Sequence, residues 1–149
     1  MKQKLILLAF MVMVLAFFYL RFTTSRPKLR EILVGSAVIK VDVADTIGKQ
    51  RQGLSGRDSM PADQGMYFPM GEPALYHFWM KEMHFPLDIL WIHAGKIVDI
   101  SENVRYPLEG ETPAVVYPKV PADAVLEVNA DFTEKNNLKI GDSIQFDIK

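Results

Sequence analysis

A small, mainly β domain is the architecture this sequence predicts: an antiparallel sandwich or barrel with about two short helices, preceded by one N-terminal transmembrane helix. Three observations predict it. Nearly half of the 149 residues are apolar (49%) and 23% are charged, a balance that packs a core rather than staying disordered. An uncharged apolar run stands near the start. After residue 30, short stretches of alternating apolar and polar residues are separated by turn-forming residues.

The leader comes first. Leu5 to Leu20 contains neither a charge nor a helix breaker. As a helix it would extend ~24 Å, slightly less than a hydrocarbon core of about 30 Å. Tyr19, Arg21 and Phe22 can bridge the difference at the interface. Residues 1–22 therefore read as a membrane anchor or signal segment. The anchor is the favoured form, because FFYLRFTTSR offers no small-x-small cleavage site. Basic residues flank both sides of the run, so the positive-inside rule does not decide the orientation. We expect a single pass through the cell membrane with the domain on the extracytoplasmic side. Residues 23–34 form a tether and residues 35–149 the domain.

Within the domain, Ile39, Val41 and Val43 alternate with polar residues and predict a strand. Asp45 or Thr46 can cap a short helix that stops near Gly53. Pro61 and Asp63-Gln64-Gly65 are turn chemistry before the apolar run Met66-Tyr67-Phe68. Leu75 to Lys81 and Leu87 to His93 are two aromatic-rich strands, expected to pair through the intervening loop. Ala94-Gly95-Lys96 turns into a strand through Ile100, and Tyr106 to Pro113 is a surface loop. Ala124 to Val128 alternates again. Asp131 to Glu134 can begin a short helix, and a last strand runs through Ile144, Phe146 and Ile148.

Charge is divided sharply along the chain. The six charged residues up to position 30 are all basic, which leaves 11 of the 17 basic side chains against all 18 acidic ones, a net of −7 for the remainder. Such a domain repels phosphate backbones, so nucleic acid is not an expected partner, whereas residues 5–20 and the adjoining basic residues suit a membrane. There is no cysteine, which removes disulfides, a thiolate nucleophile and a lipidated cysteine anchor.

The run Arg51-Gln52-Gly53-Leu54-Ser55-Gly56-Arg57, then Gly65-Met66-Tyr67-Phe68, Phe78-Trp79-Met80-Lys81 and Pro86-Leu87-Asp88-Ile89 resembles the prokaryotic domain of unknown function 192 family. Val125-Leu126-Glu127-Val128 and Leu138-Lys139-Ile140-Gly141-Asp142 continue the likeness, which covers the chain from Val38 onward. The resemblance implies a compact, mainly β fold, often behind a signal or anchor, with no established activity. Glu82-Met83 departs from the Asn-Thr pair frequent in that family, and Ala130 from a common glycine.

The best candidate for chemistry is a polar set around the predicted central hairpin: Arg51, Arg57, Lys81 and Asp88, with Trp79 nearby. A paired hairpin would bring Lys81 and Asp88 to its mouth. Surplus guanidinium could then grip a small anionic ligand while Trp79 stacks on a planar ring or sugar. The same residues could instead form an ion-pair network that pins a loop, with Trp79 in the core. A binding or accessory module of the cell envelope, acting on a small anionic or polar ligand, is the function this set suggests. The alternative is an enzyme on a small anionic or carbohydrate substrate, with Asp88 as acid or base and Lys81 and Arg57 stabilising charge.

A further alternative is Cu(I) handling through Met80, Met83 and His84, since thioethers and imidazoles suit that ion. Methionines more often fill gaps in a core. No cofactor is implied, no G-x-S-x-G, H-E-x-x-H or phosphate-cradling loop occurs, and His77, His84 and His93 lack zinc spacing. Asp123 and Glu127 read as solvent-facing strand charges.

Overall fold

The computed structural model describes residues 10–14 and 29–146. Residues 10–14 are helical, and the remainder of the predicted anchor and residues 23–28 of the tether lie outside the described residues. Among the described residues, no helix is long and apolar enough to cross a membrane.

Among the described residues, nine strands and two short helices make up the domain. β1 (Arg30–Val34), β2 (Ala37–Val43), α1 (Ile47–Gln52), β3 (Gln64–Ala74), β4 (Phe78–Trp79), β5 (Leu87–His93) and β6 (Lys96–Val104) are followed by β7 (Val115–Val116), β8 (Ala122–Asn129), α2 (Phe132–Lys135) and β9 (Ile144–Phe146). Seven strands form one sheet in the order β6-β5-β8-β3-β2-β1-β9, and β4 pairs with β7 in a separate ribbon. The large sheet curls into a half-barrel whose edges meet at one end. There Lys96 and Ser143 form a bridge, flanked by backbone bonds from Ile97 to Asp142 and from Ile144 to Gly95. The mainly β prediction is met. Residues 30–34, assigned to the tether from sequence, instead form a paired strand between β2 and β9.

Two further expectations are corrected. The sheet is mixed, because β2 and β3 run parallel. Strands joined that way need a long crossover, and here it is the segment from Ala44 to Asp63, which carries α1. Thr46 caps that helix by accepting the Lys49 amide at 3.2 Å, and Gly53 ends it at φ 52°, a conformation glycine adopts without steric cost. The second correction concerns the central hairpin. β5 matches its predicted range, but it pairs with β6 and β8 rather than with the Leu75–Lys81 segment. That segment is strand only at β4, whose partner is β7.

The crossover gives the sheet two cores. Inside the half-barrel, Ile32, Val34, Ile39, Val41, Leu90, Ile92 and Leu126 pack with Phe132 and Leu138. On the outer face, Met66, Phe68, Leu87, Ile89, Trp91 and Val125 are covered by Leu54, Met60, Met80 and Met83. The central strands β5 and β8 are consequently buried on both faces, as strands of a doubly covered sheet are. Close approach of β3 to β8 needs Gly65, where an added Cβ would stand 2.7 Å from the Glu127 carbonyl oxygen.

Asp88 belongs to this framework. It is 0% exposed. A bulge opposite it releases the Asn103 amide from the β5–β6 ladder, and Asp88 Oδ1 accepts that amide at 2.8 Å. Oδ2 accepts the Thr133 amide at 2.9 Å and the Thr133 hydroxyl at 2.8 Å. Asp131, at the start of α2, makes no side-chain cap bond, so Asp88 caps that helix from across the fold. A carboxylate sealed this way has no face open to a substrate, and the acid or base role considered for it has no geometric support.

Asp88→Asn replaces an acceptor by a donor in front of fixed amides and should cost about 2–4 kcal/mol of stability. Lys81→Ala, at the surface, should stay within about 0.5 kcal/mol. Urea unfolding midpoints check both, and equal losses would contradict the separation of the two residues.

Candidate ligand groove

The crossover and β4 together build a groove on the outer face of the sheet. The loop after α1 is fastened to the loop after β4 by Ser55 Oγ donating to the Lys81 carbonyl at 2.9 Å and by the Gly56 amide donating to the Glu82 carbonyl at 2.8 Å. Gln50 Nε2 donates to the Pro69 carbonyl at 3.1 Å and ties α1 to β3. Alternation along β4 turns Phe78 inward and leaves Trp79 57% exposed. Phe78 makes edge-to-face contacts with Phe68 at 5.0 Å and with Trp91 at 5.6 Å, which fixes that wall.

Between these walls lies an open mouth of about 440 Å³, lined by Arg51, Phe68, Met70, His77, Phe78 and Trp79. A narrow neck of about 40 Å³ shares Arg51, Phe68, Phe78 and Trp79 with it and reaches Glu127. That neck has room for only a few groups of water size, given that ~10–15 Å³ suffices for a water molecule.

Glu127 is the residue the sequence reading misplaced. Far from facing solvent, it is 7% exposed on β8 between Met66 of β3 and Ile89 of β5, both buried. Its Oε2 has no hydrogen-bond partner among the described residues. Burial drives its acidity down, and the positive charge of Arg57 offsets only part of this, so its pKa is pushed up from 4.5 to about 8. At neutral pH Glu127 is therefore mostly a neutral acid, able to donate and to accept.

The five residues predicted as a ligand site are divided by the fold. Arg51 and Trp79 line the groove. Lys81 is beside it, with Nζ 5.3 Å from the Trp79 ring centroid and 3.5 Å from Glu82. Arg57 turns away to Asp42, 3.1 Å from Oδ2, while Lys49 approaches the other oxygen at 3.8 Å. Asp88 lies within the framework described above, so Lys81 and Asp88 do not meet. Arg51 makes no ion pair among the described residues.

The methionine and histidine set is likewise divided. Met80 and Met83 are buried in the outer core, whereas His84 is exposed with Nδ1 3.1 Å from Asp58. His77 and His93 are both exposed, and His93 Nδ1 lies 2.9 Å from Asp123. Among the described residues, no three His, Asp or Glu side chains are grouped as a metal site requires.

Residues 31–146 match the model of the family DUF192, described as an uncharacterized ACR. The chain belongs to the DUF192 family. Two solved structures resemble it closely in fold. One is a protein of Sinorhizobium meliloti 1021 provisionally described as a transcription regulator, 29% identical, with a TM-score of 0.73 over 82% of this chain and 96% of that one. The other is a protein of unknown function from Novosphingobium aromaticivorans DSM 12444, 26% identical, with a TM-score of 0.70 over 83% and 89% of the two chains. No curated protein matches the chain. The DUF192 assignment thus agrees with the resemblance read from the sequence, and it brings no activity with it.

A carboxyl whose pKa is raised in the folded state takes up a proton on folding as pH rises above its unfolded value. Its contribution is most favourable below about pH 4.5 and is lost progressively up to about pH 8. By pH 7 the loss amounts to roughly 3 kcal/mol. Glu127→Gln should therefore be more stable than the parent at pH 8 and nearly equal to it at pH 4.5, as measured by urea unfolding at the two values. An unchanged difference across that range would place the titration elsewhere.

Proposed function

We propose that this protein is a membrane-anchored, extracytoplasmic module that binds a small anionic or polar ligand in the Arg51–Trp79–Glu127 groove. One observation carries the reading. A buried carboxyl, one oxygen of which has no hydrogen-bond partner among the described residues, lines the neck of a groove whose mouth is walled by aromatic rings. Burying a polar atom without a partner costs on the order of 1–3 kcal/mol, and a bound ligand would relieve that cost. Pockets of this kind, mainly apolar with a few converging polar groups, are the ordinary form of small-molecule sites.

Arg51 supports the anionic preference because it stands at the rim without an ion pair among the described residues. Lys81 adds positive charge on the same side, although it also faces Glu82. The regulator description of the Sinorhizobium protein does not favour nucleic acid as a ligand here. The part after residue 30 carries a net charge of −7, which opposes a phosphate backbone. Membrane attachment rests on the apolar run at residues 5–20 and on the basic residues that flank it.

The binding reading is tested on the full chain in detergent, screened by thermal shift against envelope metabolites. A ligand of the folded state at a hundredfold excess over its Kd stabilises by about 2.7 kcal/mol. The shift should shrink in Trp79→Ala and in Arg51→Gln and persist in Lys135→Ala, which is remote from the groove. Shifts that ignore both groove substitutions would defeat the assignment. The location has its own test: protease added to spheroplasts should digest the domain and spare a cytoplasmic marker, whereas a protected domain would put it inside.

A further inference from the structure

The groove sorts the parts of a ligand by what each location can solvate. The neck is lined by Phe68, Phe78 and Leu87 together with Arg51, Gln52 and Ser55, and it admits only a few water-sized groups. An ionised group enclosed there would give up most of its hydration, which is costly even beside polar side chains. Arg51 is the cation that lines both neck and mouth, whereas Arg57 is engaged by Asp42 at 3.1 Å. An anion therefore belongs on the exposed side of Arg51, which can meet it with little loss of water.

The group that enters the neck must answer Glu127. As a protonated acid, its carboxyl offers one donor and one acceptor, and a hydroxyl offers the same pair in return. Between neck and rim stands Trp79, 57% exposed, a flat apolar plate bordered by Phe78. The piece that covers it needs an apolar face and a polar edge. A six-membered sugar ring has both, with C–H bonds on its face and hydroxyls around its rim.

We infer that the groove takes an acidic pyranose, with one hydroxyl in the neck on Glu127, the ring face on Trp79, and a carboxylate or phosphate substituent on Arg51. This rests on the groove being the binding site and deepens that reading by naming the class of ligand.

Tryptophan fluorescence and calorimetric titration of the full chain, held in a detergent without a sugar headgroup, provide the test. The probes are glucuronate, glucose 6-phosphate, glucose and, as an anion without a ring, citrate. Both acidic sugars should bind ~10–100-fold tighter than glucose, the range expected for a hydrogen-bonded charge pair. Arg51→Gln should bring them to the level of glucose and leave glucose unchanged. Trp79→Ala should weaken all three sugars, and Glu127→Leu should abolish their binding. Glu127→Gln keeps a donor and an acceptor, so it should bind within a few-fold of the parent. It should also lose the parent's weakening as pH rises through about 8. Whichever acidic sugar binds tighter identifies the anion, and either order supports the inference.

Binding of glucose as tight as that of glucuronate, or failure of every sugar to bind at millimolar concentration, overturns the acidic pyranose. Binding of citrate alone, lost in Arg51→Gln, overturns it and leaves the groove as the ligand site. Sugar binding that ignores Arg51→Gln, Trp79→Ala and Glu127→Leu overturns both readings.

Discussion

The parallel pairing of β2 with β3 is the constraint on which the rest of this structure depends. Four parallel pairs, from Lys40 with Gln64 to Val43 with Tyr67, oblige the chain to leave the sheet at one end and re-enter it at the other. The returning segment lies across the outer face and deposits Leu54 and Met60 on Phe68, Ile89 and Trp91. Without it, the half-barrel would have one core and a wet back. With it, β5 and β8 are enclosed on both sides, and the gap left beside β4 becomes the groove.

Glu127 is the residual cost of that covering. Along β8 it occupies an outward position that a simple half-barrel would leave in water. The crossover encloses it instead between Met66 and Ile89. An apolar residue in its place would relieve the penalty. A fold that keeps a carboxyl where it is paid for in stability, at the foot of an aromatic-walled opening, has the form expected of a site kept for binding rather than for folding. Asp88 illustrates the opposite case. It is just as deeply buried, but each oxygen is matched to an amide or hydroxyl, and its role is to join β5, β6 and the start of α2.

Local chemistry was legible in the sequence, and pairing was not. The bounds of β5, the Thr46 cap, the Gly53 stop and the Ala94-Gly95 turn all follow from residue types within a few positions. The mainly β class and the family follow from the same local evidence. The partners of β5 depend on residues up to 42 positions away, such as Asn129 opposite Leu87, and nothing in Leu87 to His93 announces them. Aromatic content made Leu75 to Lys81 look like the other half of a hairpin, but only Phe78 and Trp79 are strand, held by β7. Of the candidate site, Arg51 and Trp79 were recognisable as an exposed cation and a platform. Asp88 was misassigned because a bulge and a remote helix claim it. Glu127 was missed because alternation in β8 points it outward, and only the crossover makes that direction dry. A run of apolar neighbours on both sides, Val125-Leu126 and Val128, was the one local sign that the strand is covered twice.

The two cores differ in what they are made of. The inner one is mostly branched aliphatic, with Ile32, Val34, Ile39, Val41 and Ile97 locked at χ1, whereas Met60, Met66, Met80 and Met83 are all in the outer one. Unbranched thioethers change rotamer cheaply and tolerate displacement. The molecule thus has a stiff side and a compliant side, divided by the plane of its own sheet. Shape changes at the opening can be absorbed within a few ångströms of it, while the staves behind keep their register.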